Sequence, residues 1–156
     1  MNDQNHSGQI STINTLIATT IDSIKGYENS ASEIKDDRFR QIFRQRADER
    51  QQVVGQLQSE VRRLGGEPED GGSFMGSAHR GFENLKSAIT SGDEKSIVDE
   101  VERGEDYLKE KFETALNSGT LSGESRSVVE RCYQSVRSGH DQISQLKHGM
   151  QTPSNA

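Results

Sequence analysis

Five charged side chains fall inside the apolar stripes of what read as four long helices: Glu28, Arg46, Arg50, Glu105 and His140. Projected at ~100° per residue, Glu28 lies about 20° from Ile17, and Arg46 and Arg50 each about 20° from Leu57. Glu105 falls about 40° from Val101 and His140 about 40° from Val136. At a rise of ~1.5 Å per residue, their heights fall ~11 to ~22 Å from the end that holds the first turn, so four helices bring charge to one interior region. Two chemistries suit such a layer. Glu28, Glu105 and His140 could hold iron, manganese or zinc, because carboxylate and imidazole suit those ions. The same side chains, with Glu102, could instead form a buried network of ion pairs. The two arginines favour the network. A guanidinium has no lone pair to give a metal, competes with it for the same carboxylates, and satisfies a carboxylate through both oxygens at once.

A dinuclear carboxylate centre in a helical bundle needs Glu-x-x-His on two helices, because residues three apart share a face. No Glu stands three residues before any of the four histidines, and the nearest match is Asp3-x-x-His6. His79 and Glu83 are four apart and face the same way, but two ligands make at most half a site, and a surface pair is the favoured reading. Glu102 precedes Glu105 by three and Asp106 by four. Such like charges destabilise a helix unless a cation answers them, and the arginines of the second helix are the expected partners. Gly71-Gly72-x-x-x-Gly76 lacks the Lys-Ser/Thr of a phosphate loop, and the Ser-rich stretches hold no nucleophile elbow. Cys132 lies on an apolar stripe and reads as a small core residue. Tyr27, Tyr107 and Tyr133 sit at stripe edges as packing.

The elements that position these groups are legible from apolar spacing. A first helix spans 9–35, with Ile10, Ile13, Ile17, Ile21, Ile24 and Ala31 on one face. Asp36 and Asp37 supply cap and first-turn acid for a second helix over 37–64, which turns Phe39, Phe43, Val53, Leu57, Val61 and Leu64 inward and stops at Gly65-Gly66. A crossover over 65–92 carries a short amphipathic helix near 77–90. A third helix follows over 93–117, capped by Asp93, and a fourth over 124–148. Residues 1–8 read as a flexible N-terminus and 149–156 as a disordered tail. The crossover is long enough to return to the end where the second helix began, which makes a bundle of two hairpins joined by one long connection.

Only 29% of the 156 residues are apolar, and no run approaches the ~20 that a membrane span needs, so no membrane partner is expected. The first eleven residues hold no basic region followed by an apolar stretch, which argues against a secretory signal. A lone cysteine excludes an internal disulfide and suits a reducing compartment, so the expected location is cytoplasmic. A net charge of −6 makes nucleic acid an unfavoured partner, although segment 38–63 is rich in arginine and segment 93–113 in acids. Those two segments are expected to pair with each other.

The residues Gly26-Tyr27 with Ala31, Leu64-Gly65-Gly66-x-Pro68, Gly72-Ser73-x-x-Gly76-x-x-His79-Arg80, Glu102-Arg103-Gly104-Glu105-Asp106 and His140-Asp141 resemble a bacterial family of ferritin-like four-helix-bundle proteins whose function is unassigned. The likeness covers about residues 10–148. It implies an all-α, ferritin-like four-helix bundle. Set beside the di-iron members of that superfamily, Glu28-x-x-Ala31 is similar to their first-helix ligand motif. Ala47-x-x-Arg50-x-x-Val53 is similar to the second, with Arg for Glu and Val for His. Glu105 matches the third-helix ligand, while His140 and Ile143 stand where Glu and His are expected. The resemblance therefore implies a di-iron site lost to substitution. The expected function is that of a non-enzymatic, stress-associated or interaction protein, homo-oligomeric, with no cofactor favoured. The competing reading is a metalloprotein that binds iron, manganese or zinc.

Overall fold

The computed structural model describes residues 3–71 and 93–151. They form four helices: α1 (Asp3–Glu33), α2 (Asp37–Arg63), α3 (Glu94–Asn117) and α4 (Gly123–Gln151), with no strand among the described residues. The expected short helix near 77–90, and with it His79 and Glu83, lies outside the described residues.

Helix ends follow local chemistry. Asp36 is extended (φ −73°, ψ 120°) and its carboxylate accepts the Arg38 N–H at 2.8 Å, which satisfies one donor that α2 cannot satisfy itself. At the other end the Gly66 N–H reaches back to the Val61 carbonyl and the Gly65 N–H to that of Arg62, both at 2.9 Å. This double closure needs a left-handed residue after the cap, and Gly65 supplies it at φ +88°. Asp93 takes the cap position before α3 and accepts the Ser96 hydroxyl at 3.3 Å. Two ends differ from expectation. Helix α1 begins at Asp3 rather than residue 9, and its Gln9 side chain accepts the Ser122 N–H, which anchors it to the α3–α4 turn. Helix α4 runs to Gln151, so Gly149 lies inside it.

Burial repeats every seven residues on all four helices. Along α1 and just past its end the buried series are Ile13, Thr20, Tyr27, Ile34 and Ile17, Ile24, Ala31; along α2 and its cap they include Phe43, Arg50, Leu57, Leu64. On α3 they are Val98, Glu105, Phe112 and Val101, Leu108, Ala115, and on α4 Ser125, Cys132, Gly139 and Val129, Val136, Ile143. A seven-residue repeat advances at ~3.5 residues per turn, which keeps one seam facing the neighbours as the helices coil left-handed.

Helix α1 packs on α2 and α3, and α4 packs on the same two, so α1–α4 and α2–α3 face each other across the diagonals. Contacts set the directions. Glu60 meets Ser125, Gln56 meets Cys132 and Arg46 meets Gln142, so α2 and α4 are antiparallel. Tyr133 meets Glu113 and Lys147 meets Glu102, so α3 and α4 are antiparallel as well. It follows that α2 and α3 run the same way, and the chain between them must travel the length of the bundle. The described start of that connection already does so along α1. A Cβ on Gly66 would lie 2.8 Å from the Ile10 side chain, and one on Gly71 would lie 3.3 Å from Ile21. Between them Asn14 donates to the Glu67 carbonyl at 3.0 Å and accepts the Glu69 N–H at 2.8 Å.

Candidate functional site

One layer at the middle of the bundle takes a residue from each helix: Ser23 of α1, Arg50 of α2, Glu105 of α3 and Gly139 of α4. Arg50 and Glu105 occupy apolar-seam positions and are 0% and 1% exposed. The guanidinium is long enough to cross the α2–α3 diagonal. It meets the carboxylate through two parallel bonds, Nη1 to Oε2 and Nη2 to Oε1, each 2.7 Å. Nη1 also donates to the Ser23 hydroxyl at 2.9 Å. Burial works against the Arg50 charge, but Glu105 outweighs it and raises the guanidinium above its ordinary pKa. Arg50 thus stays charged, and the pair has the fork geometry that partly offsets desolvation.

Gly139 makes room for it. A Cβ there would stand 2.7 Å from Arg50 Nη2 and 2.9 Å from Arg46 Cδ, so the α4 backbone rests directly on both arginines. Tyr27 closes the α1 side, with the Arg50 guanidinium carbon 5.7 Å from its ring centroid and the Phe43 ring at 5.8 Å. Its buried hydroxyl faces the Glu105 carboxylate but makes no hydrogen bond of normal geometry among the described residues. Burial, and after it the nearby Glu105 charge, push the phenol well above its usual range.

The remaining expected site residues scatter. Arg46 is buried, but it turns toward α4, bonding Glu49 on its own helix and the Gln142 side chain. Glu102 is half-buried and bound by Lys147 at 2.7 Å, so lysine from α4 answers it rather than the α2 arginines. His140 sits at the α3–α4 margin, half-buried. Its Nε2 lies 2.6 Å from Asp106 and its Nδ1 3.1 Å from Asp141. Glu28 is exposed and outside the layer altogether. Projection at ~100° per residue misplaced it: over the eleven residues from Ile17, a seam at ~3.5 residues per turn departs by about 30°, enough to move Tyr27 inward and Glu28 out.

The expected pairing of basic α2 with acidic α3 reduces to the single Arg50–Glu105 bridge, because the two helices are diagonal. Other α2 arginines pair locally, Arg38 with Asp36, Arg40 with Asp37 and Arg63 with Glu60. Acidic α3 likewise answers Glu100 with its own Arg103.

Two features escaped the sequence reading. Glu60, 4% exposed, receives Arg63 and the Ser125 hydroxyl, and the Arg63 hydrogen bond holds its carboxyl below the usual range. The signal was its seven-residue spacing from Val53. Outside Arg46, α2 and α4 leave an open polar groove lined by Glu49, Arg137, Asp141, Gln142 and neighbours. Its two carboxylates already have partners in Arg46 and His140. Cys132 is buried as expected, with its thiol pushed up to about 11 by burial.

Whether this interior fits a metal can be decided from its donors. Both Glu105 oxygens are occupied by Arg50, and the alternative ligands Glu28 and His140 lie elsewhere. Among the described residues no group of three His, Cys, Asp or Glu side chains is arranged to hold an ion. The described residues around Glu105 do not fit a metal centre. Nor is any helix of the described residues long and apolar enough to cross a membrane.

The fold and site define an all-α four-helix bundle with buried salt bridges. The chain belongs to the family described as "Domain of unknown function (DUF2383)", whose model it matches over residues 9–118, more than half its length. No curated protein matches it.

Proposed function

We propose that this chain is a ferritin-like bundle in which an internal ion pair stands where the superfamily places a metal centre, and that it acts as a non-catalytic structural or interaction protein. The observation that carries this reading is the pair of 2.7 Å bonds by which Arg50 covers both oxygens of Glu105. A carboxylate held this way gives a lone pair of each oxygen to the guanidinium, whose fixed positive charge repels a second cation. The ferritin-like part is supported by connectivity: two antiparallel hairpins whose inner helices run parallel, joined by one connection along the bundle. A stress-associated role and a cytoplasmic location follow by analogy with that fold and from the single buried thiol.

Elemental analysis of full-length protein purified without chelator tests the reading. The expected result is iron, manganese and zinc each far below one per chain. Near-stoichiometric metal that disappears in Glu105→Ala would overturn it.

A further inference from the structure

The α3–α4 seam carries a ladder that the central layer does not use. Tyr133, His140 and Lys147 recur at seven-residue spacing on α4, and Glu113, Asp106 and Asp99 recur at the same spacing on α3. Each α4 residue meets an acid across the seam. The Tyr133 hydroxyl donates to Glu113 at 2.6 Å, His140 Nε2 lies 2.6 Å from Asp106, and Lys147 Nζ lies 2.7 Å from Glu102 and 3.7 Å from Asp99. The outer rungs keep their protons near neutrality, since the hydrogen bonds they donate to Glu113 and Glu102 raise the phenol and the ammonium still further. Only the middle rung can change charge in that range.

Its two ring nitrogens face two carboxylates, Asp106 on α3 and Asp141 on α4. An imidazolium donates to both. A neutral ring has one N–H, and whichever tautomer forms, the other nitrogen turns a lone pair toward a carboxylate. Asp141 is the next residue on the same helix and stays beside the ring, so the contact that can part is the one across the seam. The charges around the ring are Asp106, Lys109 and Glu113 from α3, with Arg137 and Asp141 on α4. From the α2 side, Arg46 and Arg50 press on the adjacent Gly139. The residue beside the rung is therefore the one whose bare backbone covers the buried pair.

We propose that His140 is a proton-operated latch: protonated, it ties α4 to α3 over the Arg50–Glu105 layer, and neutral, it lets the stretch of α4 around Gly139 open to water. The latch acts on a short segment, because the Tyr133 and Lys147 rungs, a heptad away on either side, stay closed. It does not depend on the functional reading above, since it concerns only the α3–α4 seam.

Amide hydrogen exchange of the full chain at a series of pH values, corrected for intrinsic rates, tests this. Protection over residues 136–143 should fall roughly twofold to fivefold as His140 loses its proton, the range set by one half-exposed ion pair. Residues 125–131 should not change. His140→Gln should show the lower protection at every pH, and His140→Lys, which stays charged, the higher. Protection over 136–143 that is independent of pH in the wild type, or equally pH-dependent in His140→Gln, would overturn the proposal.

Discussion

Two ion pairs hold α3, one to α2 across the bundle and one to α4 within its own hairpin, and they differ in almost every physical respect. Arg50–Glu105 is sealed, at 0% and 1% side-chain exposure, whereas His140–Asp106 stands at 17% and 60%. The first is shut away from solvent, and the charges must satisfy each other. Removing either one strands its partner in a low-dielectric interior. In the second, water and neighbouring charges screen the attraction, and either partner can be released cheaply. The same chemical device is therefore a structural commitment at the centre and an adjustable contact at the margin.

The sharpest way to break this contrast is Arg50→Leu or Glu105→Leu. Each single change should lower stability by about 3–5 kcal/mol in urea unfolding, because it leaves an uncompensated buried charge. The double change Arg50→Leu with Glu105→Leu should recover most of that loss, and the strong non-additivity is the signature of a desolvated pair. A single-variant cost below ~1 kcal/mol would place water in the layer.

Gly139→Ala comes next. Arg50 is tethered by Glu105 and Ser23 and cannot swing away from a new methyl group, so a loss of about 1–3 kcal/mol is expected by the same measurement. Tyr27→Phe works in the opposite direction. It removes a buried hydroxyl that makes no hydrogen bond of normal geometry among the described residues, so stability should hold or rise by up to about 1 kcal/mol.

The smallest effect belongs to the margin. Burial lowers the His140 pKa, but hydrogen bonds to Asp141 and Asp106 outweigh it and raise it above 6.5. The folded state thus binds the proton more tightly than the unfolded chain. Its stabilisation is complete below 6.5 and is lost as pH climbs through the raised folded value. Because the group is partly solvated, the whole effect should stay under ~1 kcal/mol. Urea midpoints followed upward from pH 6.5 should drift down in the wild type, and His140→Gln should remove that part of the drift.

Particular residues show where sequence reasoning reached the answer and where it failed. Asp36 and Gly65 were legible as helix ends because capping is local chemistry: a carboxylate two residues from a bare N–H, and a residue without a Cβ where φ must be positive. The Arg50–Glu105 bridge was legible because both fall within apolar stripes and a buried arginine must find an anion. Glu28 was misread because a fixed 100° projection accumulates error along a supercoiled helix. His140 was misread because an offset of about 40° from Val136 cannot distinguish the bundle centre from its rim.

The amino-acid sequence by itself determined the four long helices, most of their ends and the necessity of a buried arginine–carboxylate contact, since each depends on spacing within one segment or on the intolerance of hydrocarbon for a lone charge. Only the tertiary structure decided which acids meet which bases. That choice follows from setting α2 diagonal to α3: neighbours across a seam can trade many side-chain contacts, while across the diagonal a single long guanidinium can reach, and the other α2 arginines turn to acids near them in sequence, to carbonyls at the end of α1, to Gln142 of α4, or to solvent.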